Sequence, residues 1–320
     1  MTGSDKLWVP VITHYREEGN AVALDGPRMF SHMSQIRSSA RQYLIAGSTG
    51  DGWEMNHGMA SDLVDFAFSQ FARDVSVMFG ALGQTTDEVI LRAEFIQGQI
   101  ERNNASAVNI VGLAVCPQVD PGAGQEDILM HYRAVLDATQ LPIAVYELPQ
   151  VTGCSIEPST MQTLAADPRV IMCKDTSGLD RIAQAGVNGI VLVRGAEENY
   201  FEAMADGNYA GLLLSSGNNF SPTLRRILAC LEADLPSEAR ALSDILSQVI
   251  RGAFSTAAAL PFGNPFSNAN KGIDHLLAHG RDWRRQELPL TISGQRLPEA
   301  FLEELDQCCL MLAGRTVGYL

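Results

Sequence analysis

The chain has 320 residues, 46% of them hydrophobic, and a formal net charge of −14 at pH 7. That much apolar material supports a large core in one or two domains, while the acidic balance argues against nucleic acid or an anionic membrane as the main partner and leaves room for a small anionic substrate in a locally positive pocket. The cysteines at 116, 154, 173, 230, 308 and 309 show no CxxC spacing and read as free thiols of a reducing, cytoplasmic compartment. The opening MTGSDKLWVP carries no apolar signal segment, and no apolar run is long enough to span a bilayer.

Along the chain, eight short apolar runs recur: LWVPVI (7–12), YLIAG (43–47), VSVMFG (75–80), SAVNIVG (106–112), PIAVY (142–146), VIMCK (170–174), GIVLVRG (189–195) and YAGLLLS (209–215). They do not alternate with polar residues, which is how strands buried on both faces of a parallel sheet read. Helical spacing lies between them, as in 87–103 and 125–138. Eight such units predict an α/β fold, a (β/α)8 TIM barrel with a C-terminal helical extension, against the rival of an open doubly wound sheet. The last two intervals are short, so their helices must be brief. Stretches 237–254 and 299–314 read as the extension, which divides the chain into a barrel at 1–232 and a helical region at 233–320.

Catalytic groups of a barrel sit where strands end. Run two ends in GSTGDG (47–52), where Ser48, Thr49 and Gly50 suit a cradle for a carboxylate. Run five ends in Tyr146 and run six in Lys174, one βα unit later. The chain has three lysines against twenty arginines. Only lysine among the two can lose its proton near neutral pH when buried, and a neutral amine is a nucleophile. A strand-end lysine, a rim tyrosine and a small-residue turn are each ordinary alone. At three neighbouring strand ends they suit Schiff-base chemistry on a 2-keto acid, with the phenol carrying protons.

These residues resemble the pyruvate-dependent class I aldolases of the dihydrodipicolinate synthase and N-acetylneuraminate lyase group. GSTGDGWEMNHGMASDLV (47–64), CPQVDPGAGQEDILMHY (116–132), YELPQVTG (146–153), CKDTSG (173–178), VRGAEENYF (193–201) and GLLLSSGNNFSP (211–222) resemble its segments in order. The resemblance implies a barrel, Lys174 as the imine residue, Tyr146 as the proton-transfer phenol and Ser48 and Thr49 on the pyruvate carboxylate. It also implies Gly195 and Leu213 in the pocket wall, no cofactor beyond the imine, and a homo-oligomer, dimer or tetramer.

The departures concern the second substrate. The synthase's arginine is replaced by Val151, its paired tyrosines by Gln118 and Val119, and its asparagine after the tyrosine by Glu147. These make the synthase itself a poor fit and point to another aldehyde or a 2-keto-3-deoxy acid. Glu147 either reads sugar hydroxyls or faces the wall. A dehydratase using the same imine, and a keto-acid-binding barrel without turnover, are the alternatives. HLLAH (275–279) has a metal-ligand spacing but no third ligand and reads as a solvated face. GSTGDG lacks phosphate-loop and dinucleotide spacing, and Asp51 would repel phosphate. His14 and Tyr15 end run one and are candidates for the pocket mouth.

Overall fold

The computed structural model describes residues 6–103, 108–309 and 318–320. β1 (Leu7–Pro10) is followed by a hairpin of β2 (Tyr15–Glu18) and β3 (Ala21–Leu24), then α1 (Gly26–Ile36), β4 (Gln42–Ile45), α2 (His57–Gln70), β5 (Ser76–Gly80), α3 (Thr86–Arg102), β6 (Asn109–Val115) and α4 (Gln125–Ala138). Next come β7 (Ile143–Glu147), α5 (Pro149–Thr152), α6 (Pro158–Leu164), β8 (Val170–Asp175), α7 (Arg181–Gln184), β9 (Val191–Arg194), α8 (Tyr200–Ala205), β10 (Gly211–Leu213) and α9 (Gly217–Glu232). α10 (Pro236–Ala258), α11 (Pro265–His279) and α12 (Glu299–Cys309) complete the described chain.

The eight strands other than the hairpin pair in parallel and close in the order β1-β10-β9-β8-β7-β6-β5-β4. This is the (β/α)8 barrel with C-terminal helices, not an open sheet. The short last intervals are filled by α7 and α8, of four and six residues. One side chain from each strand (Trp8, Leu44, Met78, Ala114, Ala144, Met172, Val193 and Leu213) fills the barrel's interior. The barrel is therefore plugged, and a ligand site can form only above this layer. No helix among the described residues is long and apolar enough to cross a membrane.

Two expectations need correction. Run four does not end at Gly112; β6 continues to Val115. The register slips at this point, and a Cβ on Gly112 would lie 2.2 Å from the Pro142 carbonyl oxygen, so the glycine serves a bulge within the strand. Its residues 106–107, and 310–314 of the last helical stretch, lie outside the described residues. HLLAH is not a solvated face either. His275 is 4% exposed and its Nε2–H donates to the Trp283 carbonyl at 3.0 Å. Burial lowers its pKa to about 4.

α11 is tied to the barrel by a buried ion network. Asp274 accepts from His14 Nε2 at 2.9 Å, His32 Nδ1 at 2.8 Å, the Arg28 guanidinium and the Tyr319 hydroxyl. Asn218 donates to the Pro10 and Ser215 carbonyls, so its oxygen faces the Ile12 N–H and His32 Nε2. Both ring nitrogens of His32 thus face acceptors. Burial alone would raise the Asp274 carboxyl, but the charges of His32 and Arg28 and the donors around it hold it well below the usual range. Burial lowers His14 to about 3.

Both shifts have the same sign of consequence. Asp274 contributes stability above its unfolded pKa and loses it as pH falls through the folded one. His14 stays neutral in the fold while the unfolded residue takes a proton below about pH 6.5. Stability should therefore decline as pH is lowered from about 6.5 toward 3. Asp274→Ala strands Arg28 in the interior and should cost about 3–5 kcal/mol, read from urea unfolding at pH 7. Its loss on acidification between pH 5 and 3 should be smaller than that of the natural chain.

Candidate active site

β7 and β8 pair in a register that sets Tyr146 beside Lys174 and Glu147 beside Asp175. Strand alternation then sends the first pair inward, above the plug, and the second pair outward. Lys174 is 4% exposed, and its Nζ lies 3.9 Å from the centroid of the Tyr146 ring. Desolvation lowers the Lys174 pKa to about 7, against weaker upward pulls from Cys116 and Glu197. Burial pushes the Tyr146 phenol well above its ordinary value, so it holds its proton across the neutral range. No carboxylate forms an ion pair with Lys174 among the described residues.

Ser48, Thr49 and Gly50 form one short 3-10 turn after β4, fully buried. The turn is braced from three sides. The Ser48 hydroxyl oxygen accepts from Trp53 Nε1 at 3.2 Å, the Ser48 carbonyl accepts from Asn264 Nδ2 at 2.7 Å, and the Gly50 carbonyl accepts from Thr13 Oγ1 at 2.9 Å. Asn264 caps α11 through bonds from the N–H groups of Phe266 and Ser267, so the C-terminal helices help set the cradle.

A cavity of about 270 Å³ brings together Ser48, Thr49, Tyr146, Lys174 and Gly195. A Cβ on Gly195 would stand 2.8 Å from Lys174 Cε and 2.4 Å from Thr176 Cγ2, so only glycine leaves the lysine stem its path. The other expected residues lie elsewhere. Leu213 belongs to the plug beneath the cavity. Gly50 turns its carbonyl to Thr13 and is not part of the lining. Glu147 is not part of the lining either; its carboxyl points into the wall, accepts the Ile156 N–H at 3.1 Å, and is raised by burial to about 8. Val151 and Val119 are partly exposed, and Gln118 buries an amide oxygen without a partner.

Several lining groups escaped the sequence reading. Thr176, Ser177 and Glu197 stand in segments already quoted, but which of them face inward depends on loop geometry. Phe254 of α10 and Phe266 of α11 close the far side, in edge-to-face contact with centroids 4.9 Å apart. Nothing local in the sequence marks them.

A second cavity of about 140 Å³ adjoins the ion network and is lined by His14, Tyr15, Arg28, Lys271 and Asp274. His14 and Tyr15 thus face this space and not the mouth of the Lys174 cavity. Asp51 is held by Lys271 Nζ at 2.7 Å and the Tyr15 hydroxyl at 3.1 Å, is 3% exposed, and is not part of the lining of either cavity. His14, His32 and Asp274 are close enough to share a cation. The Asp274 carboxylate already receives a guanidinium, a phenol and two imidazoles, so the set reads as a closed ion network.

A lysine whose pKa is pushed down to about 7 is a burden on the fold. The unfolded chain binds this proton up to about pH 10.4 while the folded chain releases it near 7. Lys174→Met should raise stability by ~2–5 kcal/mol at pH 7, measured by chemical denaturation. The gap should narrow as pH rises from 7 toward 10, where the unfolded lysine also loses its proton.

Comparison with known proteins bears on the whole arrangement. The model of the dihydrodipicolinate synthetase family matches residues 5–265. A 4-hydroxy-tetrahydrodipicolinate synthase of Anaplasma marginale (strain Florida) is 26% identical over 306 residues, covering 94% of each chain. Among solved structures, dihydrodipicolinate synthase from Bacteroides thetaiotaomicron superposes with a TM-score of 0.79 at 15% identity, covering 96% of this chain and 98% of that one. YagE from E. coli K12, solved in complex with pyruvate, gives 0.77 at 19% identity, covering 95% and 97%. The family match spans the barrel and the strand ends that carry Ser48, Tyr146 and Lys174, and the chain belongs to the dihydrodipicolinate synthetase family of aldolase-type lyases.

Proposed function

We propose that the chain joins pyruvate, or a close 2-keto acid, to an aldehyde through an imine on Lys174, and cleaves the corresponding 4-hydroxy-2-keto acid in reverse. The observation that carries this reading is the desolvated Lys174 amine lying over the Tyr146 ring in the cavity that also holds Ser48 and Thr49.

The neutral amine attacks the keto carbon, and loss of water with uptake of one proton leaves a cationic imine. That cation draws electrons from the adjacent C3–H bond, and release of the proton to water gives a neutral enamine. The enamine carbon then attacks the aldehyde carbon, forming the C–C bond, while the aldehyde oxygen takes up a proton. Tyr146, protonated and beside the nitrogen, is the group to deliver it. Water releases the product and restores the amine. The turn at Ser48–Thr49 offers hydroxyls and backbone N–H groups to the pyruvate carboxylate. The imine is itself the electron sink, so these steps require no metal or organic cofactor.

Borohydride reduction in the presence of pyruvate should add mass to the peptide carrying Lys174, and Lys174→Ala should abolish the adduct while keeping its circular dichroism. An intact, folded protein with no adduct there would overturn the reading. The rate of adduct formation should rise with pH through about 7 and then level, because the neutral fraction of the amine saturates above its pKa. Gly195→Ala, which drives a methyl into the lysine stem, should slow turnover by about 100-fold.

A further inference from the structure

The cavity that holds Lys174 is also lined by Phe254 of α10 and Phe266 of α11, and it must receive whatever reacts with the enamine. Three of its hydroxyl donors are already committed. The Thr176 hydroxyl donates to the Glu147 carbonyl, the Ser177 hydroxyl to Asp175 at 2.6 Å, and the Ser215 hydroxyl to Glu197 at 2.8 Å. The Gln150 amide donates to the Thr176 carbonyl at 2.7 Å. Glu197 is saturated: besides Ser215 it accepts the Ser216 N–H at 2.9 Å, the Ser216 hydroxyl at 2.6 Å and the Tyr200 hydroxyl at 2.9 Å.

A hydroxyl whose proton is spent can still accept, but it offers a ligand no donor. Among the described residues lining the cavity, Lys174 is the one cationic side chain. A carboxylate-bearing aldehyde would therefore meet no cationic side chain but Lys174, and a polyhydroxylated one would find Thr176, Ser177 and Ser215 able to accept from it but not to donate to it. What the distal wall does offer is hydrocarbon: Leu148, Ala196 and the perpendicular rings of Phe254 and Phe266. Perpendicular rings favour an aromatic third partner, face to edge.

We infer that the carbonyl partner is a small uncharged aldehyde bearing an aromatic or comparably apolar group, seated against Phe254 and Phe266. This deepens the imine reading and rests on it. With benzaldehyde as probe, the bond formed joins pyruvate C3 to the aldehyde carbon. The proton lost from C3 is balanced by the one gained on the aldehyde oxygen, giving 2-oxo-4-hydroxy-4-phenylbutanoate with no oxidant or reductant.

The test has two stages, so that the two readings fail separately. Borohydride trapping with pyruvate alone comes first; absence of an adduct at Lys174 removes the imine reading and this inference with it. Given the adduct, kcat/KM is measured with pyruvate and benzaldehyde, acetaldehyde, glyceraldehyde or succinic semialdehyde. Benzaldehyde should exceed glyceraldehyde and succinic semialdehyde by about tenfold or more. Parity, preference for either polar aldehyde, or turnover of none of the four overturns the inference while leaving the imine in place. Phe254→Leu and Phe266→Leu keep the volume apolar but remove the rings. Each should lower the benzaldehyde-to-acetaldehyde ratio of kcat/KM by about threefold to tenfold. An unchanged ratio in both overturns the assigned seat.

Discussion

The proposed chemistry of this protein turns on how a lysine is buried. Two lysines are buried, and the fold treats them oppositely. Lys271 Nζ lies 2.7 Å from the Asp51 carboxylate with its charge over the Tyr15 ring at 4.3 Å. Lys174, equally inaccessible, faces an aromatic ring and a cavity. Burial without a carboxylate partner lowers the pKa of Lys174. Lys271 ties α11 to the turn after β4 through its ion pair with Asp51, and Lys174 is the proposed nucleophile. The same residue type makes an ion pair in one place and faces a cavity in the other.

That difference is built by register. Tyr146 and Lys174 are cross-strand partners, so they share a face of the sheet, and the closed barrel makes that face the interior. The plug of eight side chains below them supplies the low-dielectric floor. The C-terminal helices supply the roof: Asn264 holds the Ser48 carbonyl, and Phe254 and Phe266 cover the distal side. Division of the chain near residue 232 into barrel and helical region therefore does not divide the site. The ion network around Asp274 and the pair Asp51–Lys271 are what press α11 onto the barrel mouth.

Much of this was legible in the sequence because strands buried on both faces must be apolar throughout, and eight such runs at βα spacing leave few folds open. The candidate positions were legible because a barrel gathers its strand ends around one space, and Lys174, Tyr146, Ser48 and Thr49 stand there and line one cavity. Where a residue plays two roles, sequence reasoning erred. Gly112 looks like a strand terminator, yet it permits a bulge against Pro142. His275 and His279 share a helix face, but periodicity cannot say whether that face meets water, and His275 meets Trp283 instead. The polar segment YREEGNAVAL folds as the hairpin of β2 and β3, which no apolar alternation announced. Phe254 and Phe266 reach the site through tertiary packing alone, which leaves no trace in local spacing.

In the proposed imine reaction, a lysine pKa near 7 is a compromise between two steps that want opposite things. Attack on a keto group needs a neutral amine, which burial supplies. The imine that follows is a cation, and an interior dry enough to strip the amine of its proton would also destabilise that intermediate. The site meets both demands with polarisable and distant partners in place of an ion pair. The face of the Tyr146 ring at 3.9 Å stabilises a cation by about 0.5–2 kcal/mol. Glu197, tied up by Ser215, Ser216 and Tyr200, contributes a favourable field without approaching closely enough to hold the proton on the amine. A carboxylate in direct contact would give Lys174 an ion pair like that of Lys271 and favour its charged form. In that proposal the donors around Glu197 hold its carboxyl in the cavity wall, where its field favours a cation at Lys174 without a direct ion pair to the amine.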